Sequence, residues 1–133
     1  MPVGMRAYSL GDVFRDRVFD ADSAVGIPFV FRVPTDTTNS TYTIYSSNCP
    51  RRLEVIYATG TMTGAGAAAD TVVIRNGSNA ITDTLDVSAL ADTDVFDFTK
   101  ISDTYYRVNK GGSLNVVTVS AALCIVYIHC MWV

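Results

Sequence analysis

From Ile27 onward, apolar and polar residues alternate in short runs set between turn residues, the period-two pattern of strands rather than the 3.6-residue period of helices. IPFVFRV (27–33) places Phe29, Phe31 and Val33 on one face and Val30 and Arg32 on the other. TYTIYS (41–46) sets Tyr42 and Ile44 opposite Thr43 and Tyr45, and Pro50 closes a turn around Asn48 and Cys49. RRLEVIYAT (51–59) predicts a strand with Leu53, Val55 and Tyr57 on one side and Arg52, Glu54 and Ile56 on a wetter side. GTMTGAGAAAD (60–70) reads as a small-residue loop. TVVIR runs into Asn76-Gly77, a strong hairpin signal because a type I′ turn needs φ > 0 at both central positions, and NAITDTLDV is the expected return strand.

Further along, Val95, Phe96 and Phe98 predict a short strand. Ile101, Tyr105 and Val108 predict a helical turn after a Ser102 cap, ended by Gly111-Gly112. SLNVVTV (113–119) and ALCIVYIHCMWV (122–133) are expected to pair through a turn at Ser120 and Ala121. The last strand is apolar on both faces, with Leu123, Ile125, Tyr127, His129 and Met131 opposing Cys124, Val126, Ile128, Cys130 and Trp132. One face can join a core; the other has to meet a loop, the amino-terminal arm or another subunit, since an uncovered apolar row promotes aggregation.

About eight strands with regular turn signals predict an all-β, antiparallel β-sandwich of the jelly-roll kind over residues 25–133. Residues 1–24 differ: Arg6, Arg15 and Arg17 alternate with Tyr8, Phe14 and Phe19, while Asp12, Asp16, Asp20 and Asp22 offset the charge, which describes an extended mixed polar and aromatic arm. Composition agrees with strands, for seventeen Val, eight Ile and fifteen Thr stand against six Leu, two Lys, one Glu and no Gln among 133 residues. At 49% hydrophobic and 17% charged the chain is no disordered segment, and its light coat of charge suggests a partly covered exterior.

A net charge of −3 opposes the basic footprint of a nucleic-acid binder. No secretory leader is visible at MPVGMRAYSL, and the apolar run 123–133 is shorter than the ~20 residues that span a bilayer. Neither nucleic acid nor membrane is therefore expected as a partner. Cys49, Cys124 and Cys130 are odd in number and lack CxxC spacing, which points to buried free thiols rather than disulfides or zinc.

Candidate chemistry is sparse. His129 is the lone histidine; in a strand it faces away from Cys130, so a dyad would need a bulge. Asp92, Asp94 and Asp97, with Asp83, Asp86 and Asp103, could bind Ca²⁺ only if a loop gathered them; the glycine and terminal glutamate of an EF-hand loop are missing, and a solvated acidic edge is the alternative. Glu54, the sole glutamate, leaves a glycosidase pair without an evident second carboxylate. GTMTGAG and NKGGS lack the lysine and following helix of phosphate loops. Tyr42, Tyr45, Tyr57, Tyr105, Tyr106 and Tyr127 could form a sugar-stacking platform or simply serve strands and subunit contacts. No catalytic residue, metal ligand or small-molecule substrate is expected.

The segment DTVVIRNGSNAITDTLDVSALADTDVF, followed by RVNKGGSLNVVTVSAALCIVYIHCMWV, resembles the small β-sandwich capsid decoration (cement) proteins of tailed bacteriophages. The shared elements are a strand ending at Asn76-Gly77, a return strand Ile81 to Asp86 entering an Asp-containing loop, the Gly111-Gly112 turn, and two final strands from Leu114 to Val133. The resemblance implies a virion protein made in the host cytoplasm, often a homotrimer, bound to the major capsid protein on the outside of the head, where it braces capsid subunits without catalysis or cofactor. Arg6, Tyr8, Phe14, Arg15, Arg17 and Phe19 would then be anchors to the capsid or a sister subunit, and Leu123, Ile125, Tyr127 and Trp132 an oligomer surface. Two other classes stay open: a tail, head-fibre or receptor-binding module recognising a glycan or host surface, and a small enzyme built around His129.

Overall fold

The computed structural model describes residues 26–120 and 122–133. Within them are strands β1 (Pro28–Pro34), β2 (Thr41–Tyr45), β3 (Leu53–Met62), β4 (Thr71–Asn76), β5 (Asn79–Ala80), β6 (Leu85–Asp86), β7 (Val95–Asp97), β8 (Arg107–Val108), β9 (Leu114–Val119) and β10 (Cys124–Trp132), with no helix among the described residues. Sheet A has the order β1-β10-β3-β7, with β8 also on β3; sheet B has the order β2-β9-β4-β5, with β6 also on β4.

Every pairing is antiparallel. β5 and β6 are two pieces of one return strand along β4, and β7 and β8 both lie on β3, so the ten segments reduce to eight strand positions. First pairs with last, second with penultimate, third with sixth and fourth with fifth, which is a long hairpin rolled up on itself: the jelly-roll sandwich. The alternation of the sequence supplies the core. Cys124, Val126, Ile128 and Cys130 of β10 face Leu114 and Val116 of β9 and Val72 and Ile74 of β4 in one buried cluster that also takes Leu53, Val55 and Met62 of β3.

Several local expectations are corrected. β9 and β10 do not form a hairpin, because β9 pairs with β2 and β4 whereas β10 pairs with β1 and β3. The chain crosses from one sheet to the other after Ser120, at φ 60°, so that both strands can point a buried row at the same core. Buried Thr35 fixes this crossing: its hydroxyl donates to Ala122 O at 2.7 Å and accepts from Cys124 N at 3.0 Å. β3 runs on to Met62, well into the stretch expected to be loop. The turn at residues 76–79 is displaced by one, since Asn76 pairs with Asn79 and leaves Gly77 and Ser78 central. Only Gly77 of these has positive φ, at 62°, which is the requirement at the first position of a type II′ turn.

The return strand is broken between β5 and β6, where Ile81 plunges into the core and the Thr82 hydroxyl takes the hydrogen bond from Ile74 N that a strand carbonyl would otherwise accept. Ser102 does cap a turn, its Oγ accepting from Thr104 N and Tyr105 N at 3.1 Å, but one turn forms and no helix follows.

Two bulges change which side chains face out. Between β3 and β10 the register passes from His129↔Tyr57 to Cys130↔Val55, so Ile56 is extra, the phase of β3 shifts by one, and Tyr57 stands outside instead of beside Leu53 and Val55. Ala58 takes the inward place. In β2 the register slips between Thr43 and Tyr45, turning Tyr45 toward the core, where its ring meets Phe31 edge-on at 5.9 Å.

Candidate functional site

The outer face of sheet A is where the fold leaves apolar side chains outside. Register places four rows across it: Pro34, Ile125, Thr61 and Val95; Arg32, Tyr127, Thr59 and Asp97; Val30, His129 and Tyr57; and Pro28, Met131, Glu54 and Arg107. Val95 is 76% exposed and Tyr57 49%, and Val30 and Ile56 are exposed as well, while Ile125, Tyr127, His129 and Met131 are half-buried by their neighbours. A soluble antiparallel sheet usually gives its solvent face to polar residues. Here most rows carry an aliphatic or aromatic residue, and the signal for this was the two-faced apolarity of β10.

The β3 bulge shapes the lower part of the face. It aims Ile56 and Tyr57 outward together, and the Tyr57 ring stacks on His129 with centroids 3.9 Å apart and planes 10° apart. Beside them the capped turn at residues 101–106, tied to β3 by Val55 N donating to Tyr106 O at 2.9 Å, borders a cavity of about 500 Å³ lined by Glu54, Val55, Ile56, Ile101, Ser102, Asp103, Tyr106 and Met131. Arg107 donates through Nε to Glu54 Oε2 and lies 5.2 Å from the Tyr106 ring centroid, which holds both the carboxylate and the ring at the cavity edge. Sequence pattern alone missed this cavity, because neither the bulge nor the position of the 101–106 turn leaves a periodic signal.

The residues singled out for other chemistry are dispersed. His129 lies on the outer face and Cys130 on the inner, as alternation requires. Cys49, Cys124 and Cys130 are buried free thiols; burial raises all three, and Cys130 is pushed up to about 12. A thiol held protonated in this way is a poor nucleophile at neutral pH. Among the described residues no three His, Cys, Asp or Glu side chains are gathered to hold a metal. Several aspartates serve turns instead: Asp94 accepts from Ala91 N at 2.8 Å, Asp86 from Ser88 N at 2.9 Å, and Asp83 from Thr99 Oγ1 at 3.1 Å. The Ser88 bonds hold the Asp86 carboxyl below its usual range.

The six tyrosines do not form one platform. Tyr42 and Tyr45 belong to sheet B, packed against the core, and the Tyr42 hydroxyl donates to Asn39 O at 2.8 Å; Tyr57 and Tyr127 stand on sheet A. Of the expected oligomer surface, Ile125 and Tyr127 share the outer face and Leu123 continues their side of the strand, packing against Gly64. Trp132 belongs with the opposite set, packed on the core and against Phe29 at 5.1 Å between centroids. Arg6, Tyr8, Phe14, Arg15, Arg17 and Phe19 lie outside the described residues.

No protein-family model matches the chain, and a search of curated proteins returns no match.

Proposed function

We propose that the protein is a structural component of a virion, a decoration protein that binds the outside of a bacteriophage head and braces neighbouring major capsid subunits. The observation that carries this proposal is the outer face of sheet A, where Val30, Ile56, Tyr57 and Val95 stand exposed beside half-buried Ile125, Tyr127 and Met131, apolar and aromatic groups of the kind an interface core uses, with Arg32, Asp97, Glu54 and Arg107 set among them. Its upper rows, with Ile125, Tyr127, Thr61 and Val95, are the part proposed to meet sister subunits or the shell, and a homotrimer is the proposed assembly. Many copies bound weakly on a shell then act together through effective concentration. The motif resemblance of the β4 to β10 region supports the same assignment.

In this proposal the chain works by contact and takes no cofactor or small substrate. A glycan-binding tail or fibre module would be better served by a gathered aromatic platform than by tyrosines spread over both sheets. The test is add-back to heads that lack the protein, followed by pelleting and by rupture on heating. Co-sedimentation with later rupture supports the assignment, and heads that neither bind the protein nor gain resistance remove it.

A further inference from the structure

The Asn76-Gly77 pair at the β4–β5 hairpin places an amide at a joint between the two sheets. Asn76 ends β4 of sheet B; its Nδ2 donates to Arg107 O at 2.8 Å and, more distantly, to Tyr105 O at 3.4 Å, at the β8 edge of sheet A. Both partners are carbonyl oxygens, which only accept, so the carboxamide nitrogen and not its oxygen has to face them. At its other end the segment 101–107 is tied to the same side of the sandwich by Ser102 N donating to Ile81 O at 2.7 Å. Asn76 therefore fixes the 105–107 end, where Tyr106 lines the cavity.

The residue that follows makes this amide chemically vulnerable. Gly77 has no Cβ to hinder approach to its nitrogen, nothing lies within 4 Å of where a Cβ would be, and its N–H has no hydrogen-bond partner among the described residues. Asn39, Asn48, Asn79, Asn109 and Asn115 are followed instead by Ser, Cys, Ala, Lys and Val, whose side chains crowd the same nitrogen. When base removes the Gly77 amide proton, the nitrogen attacks Asn76 Cγ; the N–Cγ bond forms, the Cγ–Nδ2 bond breaks and ammonia leaves, closing a succinimide ring. Water then opens the ring at Cγ to give aspartate, or at the main-chain carbonyl carbon to give isoaspartate. One water enters and one ammonia departs, and no other reactant is needed.

We infer that Asn76 is a spontaneous modification site whose conversion releases residues 105–107 from the β4–β5 hairpin. A carboxylate has no proton to give: at this position it loses the bond to Arg107 O and sets a negative oxygen against two carbonyl oxygens. In the isoaspartate form the main chain also gains a methylene beside a two-residue turn whose geometry admits little change. Arg107 keeps its pairing with Glu54 of β3, so the effect is local, opening the gap between the sheets at this edge while the core stays closed. The outcome is a slow loosening, with age, of the segment that borders the cavity, and it holds whether or not the virion assignment does.

The test incubates the full chain at pH 8 and 37 °C in ¹⁸O-labelled water and follows each asparagine by peptide mass spectrometry. Asn76 should convert severalfold faster than any other asparagine, taking up ¹⁸O and yielding isoaspartate as part of the product. Conversion no faster than at the other asparagines, or a product without isoaspartate, would overturn the site. The consequence is read by hydrogen exchange on Asn76→Asp, where the amides of residues 105–108 should exchange severalfold faster with those of β10 unchanged. Asn76→Ala removes the bond without adding charge and should show a smaller increase at the same amides; it decides the matter if Asn76→Asp does not fold. Native exchange rates at residues 105–108, or equal acceleration throughout the fold, would overturn the release.

Discussion

Gly60 sits in mid-β3 directly across from Phe96 of β7, and the Phe96 ring folds over the space where a side chain would be. A Cβ at this position would lie inside 3 Å of three atoms of that ring. Phe96 cannot simply swing away, because its ring is buried and met edge-on by Phe98 at 5.8 Å. Gly60→Ala therefore displaces a core aromatic by about 1 Å, and overpacking of this kind costs about 1–3 kcal/mol. The lower chain entropy of alanine returns about 0.5–1 kcal/mol, so the net loss is expected near 1–2 kcal/mol.

For a domain of this size that corresponds to a fall in Tm of roughly 4–8 °C. Phe96→Ala alone should cost about 3 kcal/mol. In that background, however, the clash is gone, and adding Gly60→Ala should be neutral or slightly stabilising, giving a coupling near 2 kcal/mol in a double-mutant cycle. Urea unfolding followed by circular dichroism and by the fluorescence of Trp132 measures all four proteins. Equal destabilisation by Gly60→Ala in both backgrounds would refute the argument, because the cost would then come from the backbone and not from the ring.

Burial keeps the three thiols protonated in the folded state, with Cys130 pushed up to about 12 and Cys49 and Cys124 also raised. A folded pKa above the unfolded one stabilises below the unfolded value and is lost as pH rises through the folded value. The urea midpoint should thus hold steady up to about pH 8 and drop above about pH 9, less steeply in Cys130→Ala. Iodoacetamide at pH 8 should label the thiols rapidly only after unfolding, and fast labelling of the native protein would contradict their burial. The Thr118 hydroxyl is buried with no hydrogen-bond partner among the described residues, so Thr118→Val should raise stability by about 1 kcal/mol, and a loss in calorimetry would reveal a partner. Ile125→Asp and Val95→Asp alter the upper rows of the outer face; binding to heads should fall at least tenfold with the urea midpoint of Val95→Asp nearly unchanged, about 1.4 kcal/mol of interaction being enough. Unaltered binding by both variants would move the contact elsewhere.

Class and architecture were legible because β-branched residues and alternation act locally: the faces of β1, β9 and β10 follow directly from Phe29, Val116 and Ile128 and their neighbours. Pairing was less legible. A short link such as Ser120 to Ala121 looks like a hairpin until the partners β1 and β2, far away in sequence, claim the two flanking strands. The outer-face site was half visible, in the two-sided apolarity of β10, and half hidden, because a bulge at Ile56 obeys long-range register rather than composition. Without that extra residue, Tyr57 would point inward and the stack on His129 would not exist.

The most direct measurement is an electron cryomicroscopy map of the assembled particle. The proposal predicts copies of the jelly roll studding the outer shell, with Ile125, Tyr127 and Val95 turned toward capsid or sister subunits. Density for the fold at the tail, or a shell without it, would contradict the proposal.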